Sequence, residues 1–84
     1  MELSCVQREM KRLYYERDSV RGVYATFVWL VEEVGELGEA ILKGDLKQIE
    51  EEIADVIAWT LSLANLLGID VEAAFKRKYP DAKC

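Results

Sequence analysis

The sequence has no histidine, one proline and two cysteines among its 84 residues. Because di-iron carboxylate bundles require Glu-x-x-His pairs, the absence of histidine excludes that class of metalloprotein. It also makes zinc a poorer candidate than metals that bind oxygen ligands alone. Cys5 and Cys84 are too few for a disulfide framework, and no basic start leads into an apolar run that would indicate a secretory signal. These absences favour a protein of the reducing cytoplasm.

Basic residues and long apolar runs are also scarce. The chain has 11 Lys and Arg residues against 16 Asp and Glu residues, which gives a net charge of −5. A negative protein lacks the counterion-release drive of nucleic-acid binders, so we expect no nucleic-acid partner. The longest stretch without charge, 56–69, has 14 residues, whereas a membrane-spanning helix requires about 20. We therefore expect no membrane partner.

The short length limits the core that one copy can build. A chain of this size buries only about 60% of the surface that it exposes when unfolded. We predict a single domain over residues 1–84. We also predict that association into a homodimer or homotetramer completes the core.

Hydrophobic residues recur at helical period along almost the whole chain, and no run of β-branched residues alternates as a strand would. This pattern predicts an all-α protein, with Pro80 as the one proline that forbids helix continuation. A first helix is predicted over 3–17, followed by a loop over 18–22. The second helix is predicted to begin near Tyr24 or Thr26.

Two glycines followed by aspartates mark the remaining helix ends. Gly44 ends the second helix, because glycine readily adopts the left-handed conformation that follows a helix C-terminus. Asp45 can then cap a third helix that runs to about residue 67. Gly68 and Asp70 repeat the arrangement before a short fourth helix that ends near residue 78. The short turn at Gly44 predicts an antiparallel hairpin with flanking helices, of a four-helix-bundle type that oligomerisation completes.

Each helix of the hairpin carries an apolar stripe with acidic and aromatic residues along one flank. On the second helix the predicted core stripe consists of Phe27, Leu30, Val34, Leu37 and Ile41. On the third helix it consists of Leu46, Ile49, Ile53, Val56, Ile57, Thr60 and Ala64. Gly35 and Gly38 lie away from the acidic flank, and we predict that they allow close helix approach at a subunit contact.

The acidic flanks of the two helices are expected on the same edge of the hairpin. Antiparallel helices joined by a short turn are related by a twofold axis, so residues equally far from Gly44 lie at the same height. The level pairs are Glu36 with Glu52, Glu33 with Asp55, and Trp29 with Trp59. The sequence therefore predicts four carboxylates on one edge, with two indole rings one turn away.

Four ionised carboxylates placed so closely repel one another unless a cation lies between them. Their hard oxygen ligands favour Mg²⁺, with Mn²⁺ as an alternative. Mg²⁺ that is held by few carboxylates keeps open positions, at which it commonly binds phosphates. A substrate with several phosphate groups is therefore expected.

An ordinary solvated surface explains part of the same pattern. Soluble helices are commonly rich in glutamate on their exposed faces, and a single ExxE or ExxD spacing occurs by chance in many of them. The alternative function is a non-catalytic helical oligomerisation or interaction module, whose acidic face docks a basic partner. Matched flanks, matched heights and the lack of lysines on that edge give the metal site more weight than either motif alone.

Glu32, Glu33 and Glu36 are followed by fifteen residues and then by Glu52 and Asp55. This pattern, with the sequence around it, resembles the MazG-like, all-α nucleotide pyrophosphohydrolases. The resemblance implies Mg²⁺-dependent hydrolysis of a nucleoside triphosphate to the monophosphate and pyrophosphate, as in nucleotide-pool housecleaning. It also implies that Glu33, Glu36, Glu52 and Asp55 are the metal ligands.

The implied reaction is the attack of water on phosphorus with pyrophosphate as the leaving group. A carboxylate that is not fully used in metal coordination can accept the proton of that water. Glu33 and Glu36 are the candidates, and the sequence does not choose between them.

Substrate contacts are predicted on both sides of the acidic edge. Trp59 is the first candidate to stack on the base, and the resemblance also implies an aromatic contact there. Trp29 is the second candidate, with a core or interface aromatic as the alternative. Arg21 and Lys78 are candidates to contact the triphosphate, with solvated surface bases as the alternative.

Overall fold

The computed structural model describes residues 2–84, in which helix is the only regular secondary structure. The helices of this range are α1 (Leu3–Arg21), α2 (Val23–Lys43), α3 (Leu46–Leu67) and α4 (Val71–Lys78). The prediction of an all-α protein is therefore confirmed.

The first helix is longer than predicted, and the loop expected over 18–22 is wrong. α1 continues to Arg21, and Gly22 alone separates it from α2. The extra turn is stabilised by Asp18, which is 3% exposed and accepts a hydrogen bond from Arg21 Nη1 at 2.9 Å. Because this pair is three residues apart on one helix face, it favours continuation of the helix over a loop.

The second helix begins at Val23, directly after the glycine and next to Tyr24, where the start was predicted. Gly22 has φ of 90°, a conformation that interrupts the helix without the strain that a side chain would add. Its carbonyl accepts a hydrogen bond from the Thr26 N–H at 3.1 Å. Thr26 and Tyr24, both expected near the helix start, therefore lie inside α2, and Thr26 is fully buried.

The helix ends predicted from glycine and aspartate are confirmed. Gly44 and Gly68 both have φ of 68° and follow α2 and α3 in the left-handed conformation. The side chains of Asp45 and Asp70 accept hydrogen bonds from the backbone N–H three residues further on, at 3.2 and 3.1 Å. These bonds satisfy donors that the first turn of a helix otherwise leaves unpaired.

The packing is centred on the α2–α3 hairpin, with α1 lying mainly against α3 and α4 against α1. The buried apolar core of the described residues is small and consists of Ala40, Leu61 and Ala64. The molecule extends 36 × 35 × 20 Å, and its radius of gyration is 13.8 Å. A compact domain of this length would have a radius of gyration of about 12 Å, so one copy forms a flat slab.

Part of the predicted core stripe is wrong, because it faces away from the rest of the chain. Phe27, Val34 and Ile41 on α2 are each about half exposed, whereas Leu30 and Leu37 are partly buried. The reason is that α1 packs mainly on α3 and leaves one side of the hairpin uncovered. This surface, the open apolar face, consists of Phe27, Val31, Val34, Ile41, Leu46, Ile53 and Ile57.

A buried polar network joins α1 to the turn between α3 and α4. The Gln7 side chain donates to Asn65 Oδ1 at 3.0 Å and to the carbonyl of Ile69 at 2.7 Å. Its own oxygen accepts the N–H of Val71 at 3.0 Å, and Asn65 Nδ2 donates to the Gln7 carbonyl at 3.1 Å. These bonds hold α1 in register on the C-terminal half of α3.

No single helix within residues 2–84 has both the length and the apolar composition needed to cross a membrane. The pair α3 and α4 passes that test together, but the two helices are bent by 100° relative to each other.

Candidate active site

The hairpin brings three glutamates to one edge. Glu33 and Glu36 lie one turn apart on α2, and Glu52 lies opposite them on α3. One carboxylate oxygen from each residue lies within 4.8 Å of the others. These residues form the glutamate cluster, in which Glu52 is buried, Glu33 is partly buried and Glu36 is exposed.

The cluster perturbs the protonation of its own members. Burial, a hydrogen bond with Glu52 and the charges of Glu36 and Asp55 raise the pKa of Glu33 to about 7. The charge of Glu52 is the main cause that raises the pKa of Glu36. None of the salt bridges within residues 2–84 involves a cluster residue, so no Lys or Arg forms an ion pair with these carboxylates there.

Two oxygens of the cluster are buried without a hydrogen-bond partner. They are Oε2 of Glu33 and Oε2 of Glu52. Burying an ionised oxygen with no partner is costly, and a coordinated cation removes that cost. Glu33, Glu36 and Glu52 are therefore the residues that could hold a hard divalent cation.

Asp55, the fourth predicted carboxylate, lies at the margin of this arrangement. It is exposed and is not among the residues whose oxygens lie within 4.8 Å of one another. Its charge nevertheless raises the pKa of both Glu33 and Glu36, which places it near the cluster. The structure thus gathers three of the four predicted carboxylates closely, and their roles as ligands stay predictions.

The two predicted indoles meet beside the cluster. The rings of Trp29 and Trp59 stack with centroids 5.9 Å apart and an interplanar angle of 13°. The Arg21 guanidinium lies 4.8 Å from the centroid of the Trp59 ring and is also held by Asp18. A base that approaches Trp59 therefore meets a ring that already contacts Trp29 and Arg21.

Lys78 is not brought to the glutamate cluster. It lies at the end of α4, which packs on α1, and lines a surface cavity with residues such as Phe75 and Pro80. The 100° bend between α3 and α4 explains this position, because it turns the fourth helix away from the line of the hairpin. The contact of Lys78 with the substrate stays a prediction.

A cavity next to the cluster was missed by sequence reasoning. It lies between α1 and α3, and its walls include Tyr14, Asp18, Asp55 and Trp59. Asp18 escaped notice because it was assigned to a loop. The three-residue spacing between Asp18 and Arg21, which suits an ion pair on a helix, was the signal that could have revealed it.

Comparison with known proteins identifies the family. Residues 22–81 match the family model of the MazG nucleotide pyrophosphohydrolase domain. The match includes the whole α2–α3 hairpin and every residue of the glutamate cluster, and it leaves α1 outside. Comparison with curated proteins found no relative that matches the chain. Because the family match covers most of the sequence, the chain belongs to the MazG nucleotide pyrophosphohydrolase family.

Proposed function

We propose that the protein is a divalent-cation-dependent nucleoside triphosphate pyrophosphohydrolase that releases a nucleoside monophosphate and pyrophosphate. The observation that carries this proposal is the glutamate cluster, with its two buried oxygens that lack hydrogen-bond partners. Family membership supports the same class of reaction. Removal of unwanted nucleotides from the cytoplasmic pool is the role that we propose for it.

The donor set fits Mg²⁺, with Mn²⁺ as an alternative. All the available ligands are carboxylate oxygens, which hard cations prefer, and the chain offers no imidazole. Glu33, Glu36 and Glu52 would hold the cation, and Asp55 would lie beside it. When bound, the cation would acidify an attacking water and neutralise charge on the phosphate oxygens.

The residues of the chain supply the proton acceptor and the orientation of the substrate. Glu33 is partly buried, and in the cation-free protein burial and its acidic neighbours raise its pKa to about 7. With the cation bound, a Glu33 oxygen that is not used in coordination would accept the proton of the water. Glu36 is one turn away and is the other candidate. Trp59 and Arg21 lie on the α1 side of the cluster, where the nucleoside end of the substrate would be oriented.

We further propose that a second copy of the chain covers the open apolar face. One copy exposes 6358 Å², whereas a monomeric protein of this mass exposes about 5,100 Å². The excess of about 1,300 Å² is more than the roughly 800 Å² that each partner buries in a standard interface. Gly35 and Gly38 leave open space on the same helix, which would let another helix approach closely.

The proposed activity is tested by measuring release of pyrophosphate and monophosphate from a panel of nucleoside triphosphates, with Mg²⁺ and with a chelator. Glu36→Gln and Glu52→Gln should each lower kcat by about a hundredfold or more, because each replaces a proposed carboxylate ligand with a neutral amide that binds the cation more weakly. The matched control is Glu39→Gln, which lies on the exposed side of α2 and pairs with Lys43 at 3.4 Å. It should retain activity and helicity.

A folded sample that releases no pyrophosphate from any nucleotide in Mg²⁺ would contradict the hydrolase proposal. Binding of a basic partner by the same sample would then support the alternative, an interaction module with an acidic docking face. Equal loss of activity in the three variants would mean that the acidic edge is not the site of the reaction.

A further inference from the structure

Two indole rings and a guanidinium group form a stack that joins three helices beside the glutamate cluster. The ring of Trp59 on α3 lies against Trp29 on α2, with centroids 5.9 Å apart. It also lies against the guanidinium of Arg21 at the end of α1, which is 4.8 Å from the Trp59 centroid. These three side chains form the indole stack. Because both neighbours cover the Trp59 ring, the stack leaves little of that ring free to contact a substrate.

A buried acid holds Arg21 in the indole stack. Asp18 Oδ1 accepts a hydrogen bond from Arg21 Nη1 at 2.9 Å, and the two side chains are 4% and 19% exposed. A buried ion pair contributes little net stability, because the loss of hydration offsets the attraction between the charges. Its effect here is one of orientation, since it fixes the guanidinium over Trp59. Gly22 alone separates Arg21 from α2, so the ion pair lies at the corner where α1 and α2 meet.

The glutamate cluster lies between the indole stack and the turn of the hairpin. Trp29 precedes Glu33 by four residues on α2, and Trp59 follows Asp55 by four residues on α3. Four residues correspond to about 6 Å along a helix, or one turn. The turn at Gly44 joins the two helices on the other side of the cluster. The indole stack is therefore the contact that joins α2 to α3 at the end of the cluster away from the turn.

Apolar packing does not fix the separation of the two helices at the cluster. None of the buried apolar side chains in the described part of the chain belongs to 29–36 or 52–59, and the open apolar face leaves one side of the hairpin uncovered. Mg²⁺ requires oxygen ligands at about 2.0–2.1 Å in near-ideal octahedral geometry. Ligands from two helices meet this requirement only if they are held to within about 0.5 Å of it. A contact between the helices one turn away therefore affects the affinity for the cation.

We propose that the indole stack sets the separation of α2 and α3 at the glutamate cluster, with Trp59 as a positioning residue for the divalent cation. The inference rests on the proposed function, because it concerns the cation of that site. It assigns the two indoles to the geometry of the cluster instead of to stacking on the base of the nucleotide.

The test measures the Kd for Mn²⁺ by electron paramagnetic resonance. Trp59→Leu should raise this Kd by about tenfold, the lower end of the effect of removing an outer partner of a metal site. Trp59→Phe keeps a flat ring between its two neighbours and should have a Kd close to that of the wild-type protein. Arg21→Lys keeps the charge beside Asp18 but loses the planar group that stacks, so it should also raise the Kd, by a smaller factor.

Gln7→Ala is the control for a general loss of stability. It removes hydrogen bonds between α1 and the α3–α4 turn but leaves the indole stack in place. It should lower the Tm without changing the Kd for Mn²⁺. An increase in Kd equal to that of Trp59→Leu would mean that any loosening of α1 weakens the cation site, and it would overturn the inference.

A wild-type Kd for Mn²⁺ in both Trp59→Leu and Arg21→Lys would overturn the inference and leave the hydrolase intact. A rise in the KM for the nucleotide with that unchanged Kd would assign Trp59 to substrate binding instead. If Trp59→Leu does not fold, Arg21→Lys decides, because a raised Kd supports the inference and an unchanged Kd overturns it. A wild-type protein that binds no Mn²⁺ would instead refute the proposed function.

Discussion

Replacing Glu33 with Gln should stabilise the cation-free protein at alkaline pH. The pKa of Glu33 is about 7 in the folded chain, against an ordinary value of 4.5. Between these values the folded chain binds more protons than the unfolded chain, so the free energy of unfolding falls as pH rises. This loss of unfolding free energy is absent below pH 4.5 and complete above about pH 7. The Glu33→Gln protein does not suffer it, because glutamine carries no charge.

The magnitude follows from the size of the pKa shift. A full shift from 4.5 to about 7 corresponds to about 3 kcal/mol. Because Glu33 is only partly buried, solvent screening reduces this figure, and we expect a difference of about 1–2 kcal/mol at pH 8. For a domain of this size that corresponds to an increase in Tm of about 5–15 °C.

The assay is thermal and urea denaturation in a chelator at pH 5 and pH 8, followed by circular dichroism. Glu33→Gln should be clearly more stable than the wild-type protein at pH 8 and only slightly more stable at pH 5. The control, Glu39→Gln, should differ by less than about 0.5 kcal/mol at both pH values, because Glu39 forms only an exposed pair. The reasoning would be refuted if Glu33→Gln were less stable than the wild-type protein at pH 8. It would also be refuted if the stability difference between the two proteins were the same at pH 5 and pH 8.

Three further outcomes are expected. Mg²⁺ at a hundred times its Kd should stabilise the wild-type protein by about 2.7 kcal/mol. The Tm of the wild-type protein should therefore rise, and the Tm of Glu52→Gln should not. An equal rise in the Tm of both proteins would contradict the cation site. Val34→Glu, on the open apolar face, should convert a dimer to monomers in sedimentation analysis, whereas Val20→Glu on exposed α1 should not. Gln7→Ala should lower the free energy of unfolding by about 1–3 kcal/mol, because it leaves buried polar groups of the α3–α4 turn unpaired. An unchanged urea denaturation curve would argue against the stabilising role of the Gln7 hydrogen-bond network.

The hairpin and its acidic edge could be predicted because local rules determine them. Gly44 and Asp45 end one helix and start the next within two residues, which leaves an antiparallel arrangement as the outcome. Helical period then places Glu33 and Glu36 on one edge and brings Glu52 opposite them. The same geometry led to the stacked pair of indoles.

Features that depend on tertiary partners could not be predicted in this way. The end of α1 depends on a buried contact of Asp18 with Arg21, which overrides the loop tendency of the segment. The open apolar face was missed because an apolar stripe does not reveal whether it packs against the same chain or against another copy. Asp55 lies at the margin of the cluster because ideal helix geometry gives height and direction but not the separation of side-chain atoms.

Binding of Mn²⁺ followed by electron paramagnetic resonance tests the central claim, that three glutamates of the hairpin share a divalent cation. The wild-type protein should deplete the signal of free Mn²⁺, Mg²⁺ should restore it by competition, and Glu39→Gln should behave like wild type. Glu52→Gln should lose this binding while it keeps its helicity. Mn²⁺ binding by Glu52→Gln that equals wild-type binding, or no binding by the wild-type protein, would contradict the claim.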